Sequence, residues 1–177
     1  MKVLKQSEVN NLIQLHQSGQ FALAEEKAKN LLNDFPQELI LLNILGVSQE
    51  GQKKFKEAAD SYRHALKIQP QFAEMEFNLG SVLFQLGDAQ AAIQHYLKAI
   101  QIKSDLVVAY FNLGIAYQNE SEFDKALSAY QKAIELEPGF YEAYGNKGAI
   151  YLCKVTLIKL FYFFSSHSRY KITRVAI

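Results

Sequence analysis

A single interval of 34 residues organises most of this chain. Glycines, alanines and tyrosines each recur at that interval. The three sets are Gly46, Gly80, Gly114 and Gly148; Ala24, Ala58, Ala92 and Ala126; and Tyr62, Tyr96 and Tyr130. A chain that repeats one pattern at such a period folds as a row of similar units, because one unit alone cannot bury its apolar face.

Residues 107–140 show what one unit contains. Each half of the unit places apolar or small residues at the i, i+3, i+4, i+7 spacing of one helix face. In the first half these are Tyr110, Leu113, Gly114 and Tyr117, and in the second half Phe123, Ala126, Leu127, Tyr130 and Ile134. A polar stretch at 119–122 separates the halves, and Pro138 ends the second half because proline has no backbone donor. The pattern predicts a hairpin of two amphipathic helices.

Small and aromatic side chains are expected to have different places in the packing. Gly114 and Ala126 are predicted to lie where the two helices of a hairpin cross. A larger side chain there would cost about 1 to 3 kcal/mol through overpacking. Tyr130 and its equivalents in the preceding units are predicted to pack against the next hairpin.

The 34-residue period, with these residue types at these positions, resembles the tetratricopeptide repeat family from about Lys5 to Cys153. The resemblance implies an all-α fold, a right-handed α-solenoid of stacked antiparallel helical hairpins. The predicted parts are a divergent first hairpin at 5–38, which would cap the amino-terminal end, three regular repeats at 39–72, 73–106 and 107–140, the first helix of an incomplete fifth repeat at 141–153, and a non-repeat apolar and basic tail at 154–177.

The tail departs from the repeat in sequence and in charge. Residues 143–177 carry six basic residues and no acidic one, whereas residues 1–142 have a net charge of −5. The apolar run from Val155 to Phe164 is ten residues long and contains Lys159. A membrane-spanning helix needs about 20 residues. Three interpretations stay open: a membrane segment, a degenerate capping helix, and, favoured here, a non-repeat extension after an interruption near Cys153.

The sequence contains no arrangement typical of an enzyme. His16, His64, His95 and His167 fall at unrelated places in the repeat and at no metal-ligand spacing, so no metal site is expected. Phosphate-binding glycine loops and nucleophile motifs do not occur, so no cofactor and no catalysis are expected, and no stacking platform indicates nucleic acid. With Cys153 as the one cysteine and no export signal at the beginning, a cytoplasmic location is expected.

A series of asparagines indicates where such a solenoid would bind a ligand. Asn10, Asn78, Asn112 and Asn146 recur at multiples of 34 residues on the first helices, and Asn43 stands one place before the residue that interrupts the series. First helices line the concave side of such a stack. Since an amide both donates and accepts hydrogen bonds, these side chains would suit the backbone of an extended peptide. The alternative is that each asparagine bonds a neighbouring helix and helps to set the curvature.

The positions beside the asparagines complete the predicted peptide-binding groove. They hold a mixture of apolar and polar side chains, namely Phe77, Phe111, Ser81, Ile115, Phe84, Gln118 and Asn119. Four amide hydrogen bonds at a net value of about 1 kcal/mol each would give a dissociation constant near millimolar, so the neighbours would have to supply affinity and selectivity. Val108, Phe111 and Ile115 stand where carboxylate-clamping members of the family have lysine or arginine, so a chaperone-tail ligand is not expected.

These features predict a protein-protein interaction scaffold that binds an extended peptide or a partner protein in its concave groove. The asparagine series also resembles the repeat arm of protein O-linked N-acetylglucosamine transferases. The opening at 15–32, LHQSGQFALAEEKAKNLL, resembles repeat arms that precede bacterial glycosyltransferase or sulfotransferase domains. These resemblances imply an alternative, in which the chain is the N-terminal recognition arm of a larger glycosyltransferase or sulfotransferase. A membrane-associated adaptor is a third possibility. The sequence does not define an oligomeric state.

Overall fold

The computed structural model describes residues 3–173, with the side chains of residues 3–160. These residues form nine α-helices and no strand. The helices are α1 (Gln6–Gln17), α2 (Phe21–Asp34), α3 (Leu39–Gly51), α4 (Phe55–Ile68), α5 (Ala73–Gln85), α6 (Ala89–Ile102), α7 (Val107–Asn119), α8 (Phe123–Leu136) and α9 (Tyr141–Thr173). The prediction of an all-α solenoid of helical hairpins is confirmed, and α3, α5 and α7 begin at the residues where the regular repeats were predicted to begin.

The helices stack in chain order. Each helix contacts the next one along the chain, so every hairpin is packed against its neighbours. First helices also contact across hairpins in two places, where α1 contacts α3 and α5 contacts α7. No pair of second helices in the described residues makes a contact of this extent. The first helices therefore lie on the inner, concave side of the stack.

Small residues occupy the points where the two helices of a hairpin cross. The alanines of the 34-residue series at 58, 92 and 126 are fully buried. A methyl group at Gly80 would lie 2.9 Å from the Tyr96 ring, and one at Gly114 would lie 2.5 Å from the Tyr130 ring. Both distances are shorter than carbon atoms tolerate in a packed core. Each tyrosine ring therefore fills the crossing of its own hairpin, a contact that the prediction, which placed it against the next hairpin, did not include.

The turns inside the hairpins share one backbone conformation. Four residues at 34-residue spacing have φ between 60° and 86°, and they are Gly19, Lys53, Gly87 and Ser121. Gly51 stands beside one of these turns and ends α3. A methyl group on Gly51 would lie 2.7 Å from the Phe21 ring of the first hairpin, so this glycine serves close packing while Lys53 adopts the left-handed conformation.

Helix α9 begins as the first helix of a fifth hairpin. Ala143 and Ile150 are buried, and the helix packs on α8. The Nζ atom of Lys154 lies 2.6 Å from Asp124 Oδ1, and that of Lys147 donates to Gln131 Oε1 at 2.5 Å. Two of the six basic residues at 143–177 thus anchor α9 to the fourth hairpin.

The predicted boundary at residue 154 is not marked by a turn. Helix α9 continues to Thr173, and the sequence from 155 to 173 holds no glycine or proline that would end a helix. The side chains of 161–177, which include His167 and the basic residues of the predicted tail from Arg169 onward, lie outside the described residues.

A buried carboxylate joins the first two hairpins. Glu25 on α2 is 5% exposed and accepts hydrogen bonds from Lys29, Gln52 and Lys54 at 2.6 to 2.8 Å. Gln52 and Lys54 belong to the turn between α3 and α4. Burial alone would raise the pKa of this carboxyl, but the hydrogen bonds from Lys29, Lys54 and Gln52 lower it from 4.5 to about 2.

This carboxylate should make stability depend on pH in the acid range. Because the pKa of Glu25 is lowered on folding, its stabilisation is present above about pH 4.5 and is lost as the pH falls towards 2. Between about pH 6 and about pH 2.5 the free energy of unfolding of the wild type should fall by about 2 to 3 kcal/mol more than that of Glu25→Gln. Urea denaturation at each pH measures the difference. Glu26→Gln, a change at the neighbouring exposed glutamate, should retain the wild-type pH dependence; an equal effect of both changes would contradict this assignment.

Candidate functional site

The concave side is formed by α3, α5, α7 and the beginning of α9. Four of the predicted asparagines lie half-buried on these helices, namely Asn43, Asn78, Asn112 and Asn146. Asn10 is different, because it is exposed on α1 and its Oδ1 accepts a hydrogen bond from Gln6 Nε2 at 2.9 Å within the same helix.

The half-buried asparagines join neighbouring hairpins. Asn78 Nδ2 donates to Asn43 Oδ1 at 3.2 Å, which links α5 to α3. Asn146 Nδ2 donates to the Tyr130 hydroxyl at 3.3 Å, which links α9 to α8. These bonds correspond to the structural role that the sequence left open. Because an amide has two N–H donors and an acceptor oxygen, one such bond leaves capacity for a ligand.

The tyrosine of each regular hairpin directs its hydroxyl towards the first helices. The Tyr62 hydroxyl donates to the Glu50 carboxylate, and the Tyr130 hydroxyl donates to Gln118 Oε1 at 3.0 Å. Burial raises the pKa of Tyr62, and the charge of Glu50 raises it further, so this hydroxyl stays protonated as a donor. Glu50 and Gln118 occupy equivalent positions near the ends of α3 and α7.

The third hairpin cannot make the same bond, because Phe84 stands at the equivalent position on α5 and has no acceptor atom. The Tyr96 hydroxyl instead lies 3.4 Å from Ser81 Oγ and hydrogen-bonds with Asn112 on α7. Burial raises the pKa of Tyr96, and the hydrogen bonds with Ser81 and Asn112 oppose that rise. A serine, a tyrosine hydroxyl and an asparagine therefore meet between α5 and α7.

A pocket of about 130 Å³ opens at this meeting point. Its lining residues are Ser81, Phe84, Gln85, Tyr96, Asn112 and Ile115. The sequence-based groove prediction contained all of them except Gln85 and Tyr96. The position of Tyr96, 16 residues before Asn112, is repeated by Tyr130 and Asn146, and this fixed offset could have identified the tyrosine as a groove residue.

The remaining predicted residues lie outside the lining of this pocket. Phe77 packs on Tyr96 with 5.9 Å between ring centroids, and Phe111 packs on Tyr130 at 5.8 Å. Both phenylalanines are half-buried, and each supports a tyrosine ring through this packing. Asn119 is exposed at the end of α7, and it is not among the lining residues of the pocket.

The described residues also bear on whether the chain could hold a metal ion or cross a membrane. No three His, Cys, Asp or Glu side chains among them are grouped as a metal ion would require. The Nδ1 atom of His95 lies 2.6 Å from Glu76 Oε2, a pairing within the third hairpin. In the part of the chain that the structure describes, no helix combines the length and the apolar character needed to cross a bilayer.

Comparisons with known families and proteins identify the same repeat along the chain. Models described as tetratricopeptide repeat match residues 15–71 and 107–140, and one described as TPR repeat matches residues 80–121. A peroxisomal targeting signal receptor from Candida albicans is 34% identical over 67 residues, which are 38% of this chain and 11% of the receptor. The chain thus spans about a tenth of that relative's length.

Solved structures show the same architecture over most of the chain. A crystal structure of MamA is 26% identical with a TM-score of 0.78, and the match covers 99% of this chain and 100% of MamA. The structure of YrrB, described as a TPR protein with an unusual peptide-binding site, is 24% identical with a TM-score of 0.70 over 83% of this chain and 76% of YrrB, a likeness in fold alone. The stacked hairpins, the residues that recur every 34 positions and these matches show that the chain belongs to the tetratricopeptide repeat family.

Proposed function

We propose that this chain is a non-catalytic protein-interaction scaffold that holds an extended segment of a partner protein in the concave groove of α3, α5 and α7. The pocket between α5 and α7 carries the proposal, because the apolar side chains of Phe84 and Ile115 meet the polar groups of Ser81 and Asn112 there. An extended peptide offers backbone donors and acceptors along its length, and its side chains alternate in direction. Polar groups of the groove can bond its backbone while the pocket receives one side chain.

The chemistry of the lining indicates which side chain fits. None of the residues around the pocket carries a charge. A volume of about 130 Å³ offers room for a small apolar side chain. The carboxylate of Glu50, on the neighbouring helix α3, already accepts a hydrogen bond from the Tyr62 hydroxyl. The proposed ligand is therefore an extended segment with a small apolar residue at its centre, and not a carboxylate held by a basic clamp.

The relatives support this proposal only in general terms. The names of YrrB and of the targeting signal receptor indicate that repeats of this family occur in proteins that bind peptides or signals. Neither those two proteins nor MamA is named as a transferase, so the alternative of a transferase recognition arm gains no support from them. The proposed scaffold is cytoplasmic and has no nucleic-acid partner.

The test begins with a ligand selected by the protein itself. A phage-displayed library of random ten-residue peptides would be selected on the full chain, and the affinity of a selected peptide measured by fluorescence anisotropy. Asn78→Ala/Asn112→Ala should weaken binding at least tenfold, because two hydrogen bonds at a net value of about 1 kcal/mol each correspond to roughly 30-fold.

The control must separate a groove role from a structural one, since both asparagines also join hairpins. Ser61 lies on the second helix α4, and Ser61→Ala removes its buried hydrogen bond of 2.7 Å to Gln49 Oε1 on α3. It should lower stability by about 1 kcal/mol and leave peptide affinity unchanged. Unchanged affinity in the asparagine variant, or an equal loss in both variants, would contradict the proposed groove.

A further inference from the structure

One face of α9 is not covered by a second helix, although its sequence has the glycine against which a second helix packs in the earlier hairpins. Gly148 is the fourth glycine of the 34-residue series, and the glycines before it at 80 and 114 lie directly against the tyrosine ring of their second helix. A methyl group at Gly148 would meet no atom within 4 Å. The helix therefore leaves space for a ring that no described residue supplies.

Apolar side chains extend this open position along the helix. Residues at alternating spacings of four and three lie on one helix face, and here they are Tyr144, Gly148, Tyr151, Val155 and Ile158. The four side chains other than glycine are 47 to 55% exposed. The adjacent face is occupied, since Ala143 and Ile150 are buried. A continuous exposed apolar face of this kind marks a binding surface more often than scattered apolar residues do.

The continuation of α9 does not supply the missing second helix. Second helices of the regular hairpins place a tyrosine between two alanines, as with Ala126, Tyr130 and Ala133. Thirty-four residues later the sequence has Leu160, Phe164 and His167, so the small residues needed for a close crossing are replaced by large ones. In addition, α9 runs to Thr173 without a turn.

We propose that this face binds an amphipathic helix of a partner polypeptide. The helix would carry an aromatic residue opposite Gly148, small residues four positions before it and three positions after it, and acidic residues along its edges. Charge argues for an acidic partner, because residues 143–160 contain three lysines and no acid. Lys154 already pairs with Asp124 of α8, but Lys147 bonds the neutral Gln131, and Lys159 extends the positive charge along the helix. A second copy of this chain would bring the same positive charges to the same face and is disfavoured for that reason.

The fourth hairpin provides a probe with the required pattern. The probe is a fluorescent, end-capped peptide of residues 123–136 with Lys125→Glu and Lys132→Glu, which keeps the tyrosine and both alanines and adds acidic edges. It should bind the full chain in fluorescence anisotropy. Gly148→Leu should weaken binding at least tenfold without lowering the melting temperature, because the added side chain enters open space on a helix. The same peptide with Tyr130→Ala should also bind at least tenfold more weakly.

Cys153→Leu is the control, because it introduces the same side chain at an exposed position of α9 that is five residues after Gly148 and therefore on the other side of the helix. It should leave peptide affinity within about twofold of the wild type, since the leucine points away from the proposed face. Failure of the full chain to bind the peptide, or equal binding by Gly148→Leu, would overturn the proposal. So would sedimentation that shows wild-type dimers abolished by Gly148→Leu, which would identify a second copy as the occupant. The face is separate from the pocket between α5 and α7, so either proposal can fail alone.

Discussion

Replacement of Tyr96 by alanine is expected to lower the free energy of unfolding by about 3 to 5 kcal/mol, the range for deletion of a buried aromatic ring. Tyr96 is 1% exposed, its ring lies against Gly80 at the helix crossing, and Phe77 packs on it at 5.9 Å. Rigid helices on both sides cannot close over the resulting cavity. Because a domain is stabilised by only about 5 to 15 kcal/mol, urea denaturation followed by circular dichroism should show a large shift of the midpoint.

Tyr96→Phe separates the ring from the hydroxyl. It keeps the packed ring and removes the hydrogen bonds with Ser81 and Asn112, so it should cost about 1 kcal/mol. If alanine were no more destabilising than phenylalanine, the ring would not be the element that fills the crossing.

Alanine at two equivalent glycines is expected to have effects of opposite sign. Gly114→Ala should lower the free energy of unfolding by about 1 to 3 kcal/mol, because the new methyl group would lie 2.5 Å from the fully buried Tyr130 ring. Gly148→Ala should raise it by up to about 1 kcal/mol, since alanine is the better helix former and nothing lies within 4 Å.

The comparison is well controlled because both glycines occupy the same repeat position and both lie inside a helix. Parallel urea denaturation of the two variants and the wild type gives the sign of each effect. Destabilisation by Gly148→Ala as large as that by Gly114→Ala would show that the α9 face is covered in solution by a segment of the same chain. Stabilisation by both changes would show that the crossing at Gly114 is looser than its geometry indicates.

The hairpins could be predicted from the sequence because each one contacts mainly its neighbours in the chain. In such a stack a local pattern of glycine, alanine and aromatic residues determines both the helices and their crossings. Gly51 shows where this reasoning fails. A glycine near a turn suggests a residue in the left-handed conformation. Only the structure shows that the Phe21 ring of another hairpin leaves no room for a side chain at position 51.

The candidate site was predictable in part for a similar reason. Position in the repeat placed Ser81, Asn112 and Ile115 on the first helices, which the structure brings to one pocket. The path of the tyrosine hydroxyl was not predictable, because only the structure shows that it reaches the residue equivalent to Glu50 and Gln118, which is Phe84 in the third hairpin. Asn43, which stands one place before the position of the series in the sequence, is the acceptor for Asn78 in three dimensions.

The failure of the repeat after Cys153 was visible in the sequence, but its consequence for the fold was not. Loss of the turn residues allows α9 to continue to Thr173 instead of reversing. The sequence shows that the second helix of the fifth repeat is altered, whereas the structure shows that the face prepared for it stays exposed.

The ¹H–¹⁵N spectrum of the full chain during titration with a selected peptide tests whether the concave side binds an extended peptide. The side-chain amide signals of Asn78 and Asn112 should shift, while those of Gln90 and Gln131, which lie on the second helices α6 and α8, should remain in place. Unchanged asparagine signals at saturating peptide, with shifts confined to the glutamines, would place the binding site on another face and contradict the claim.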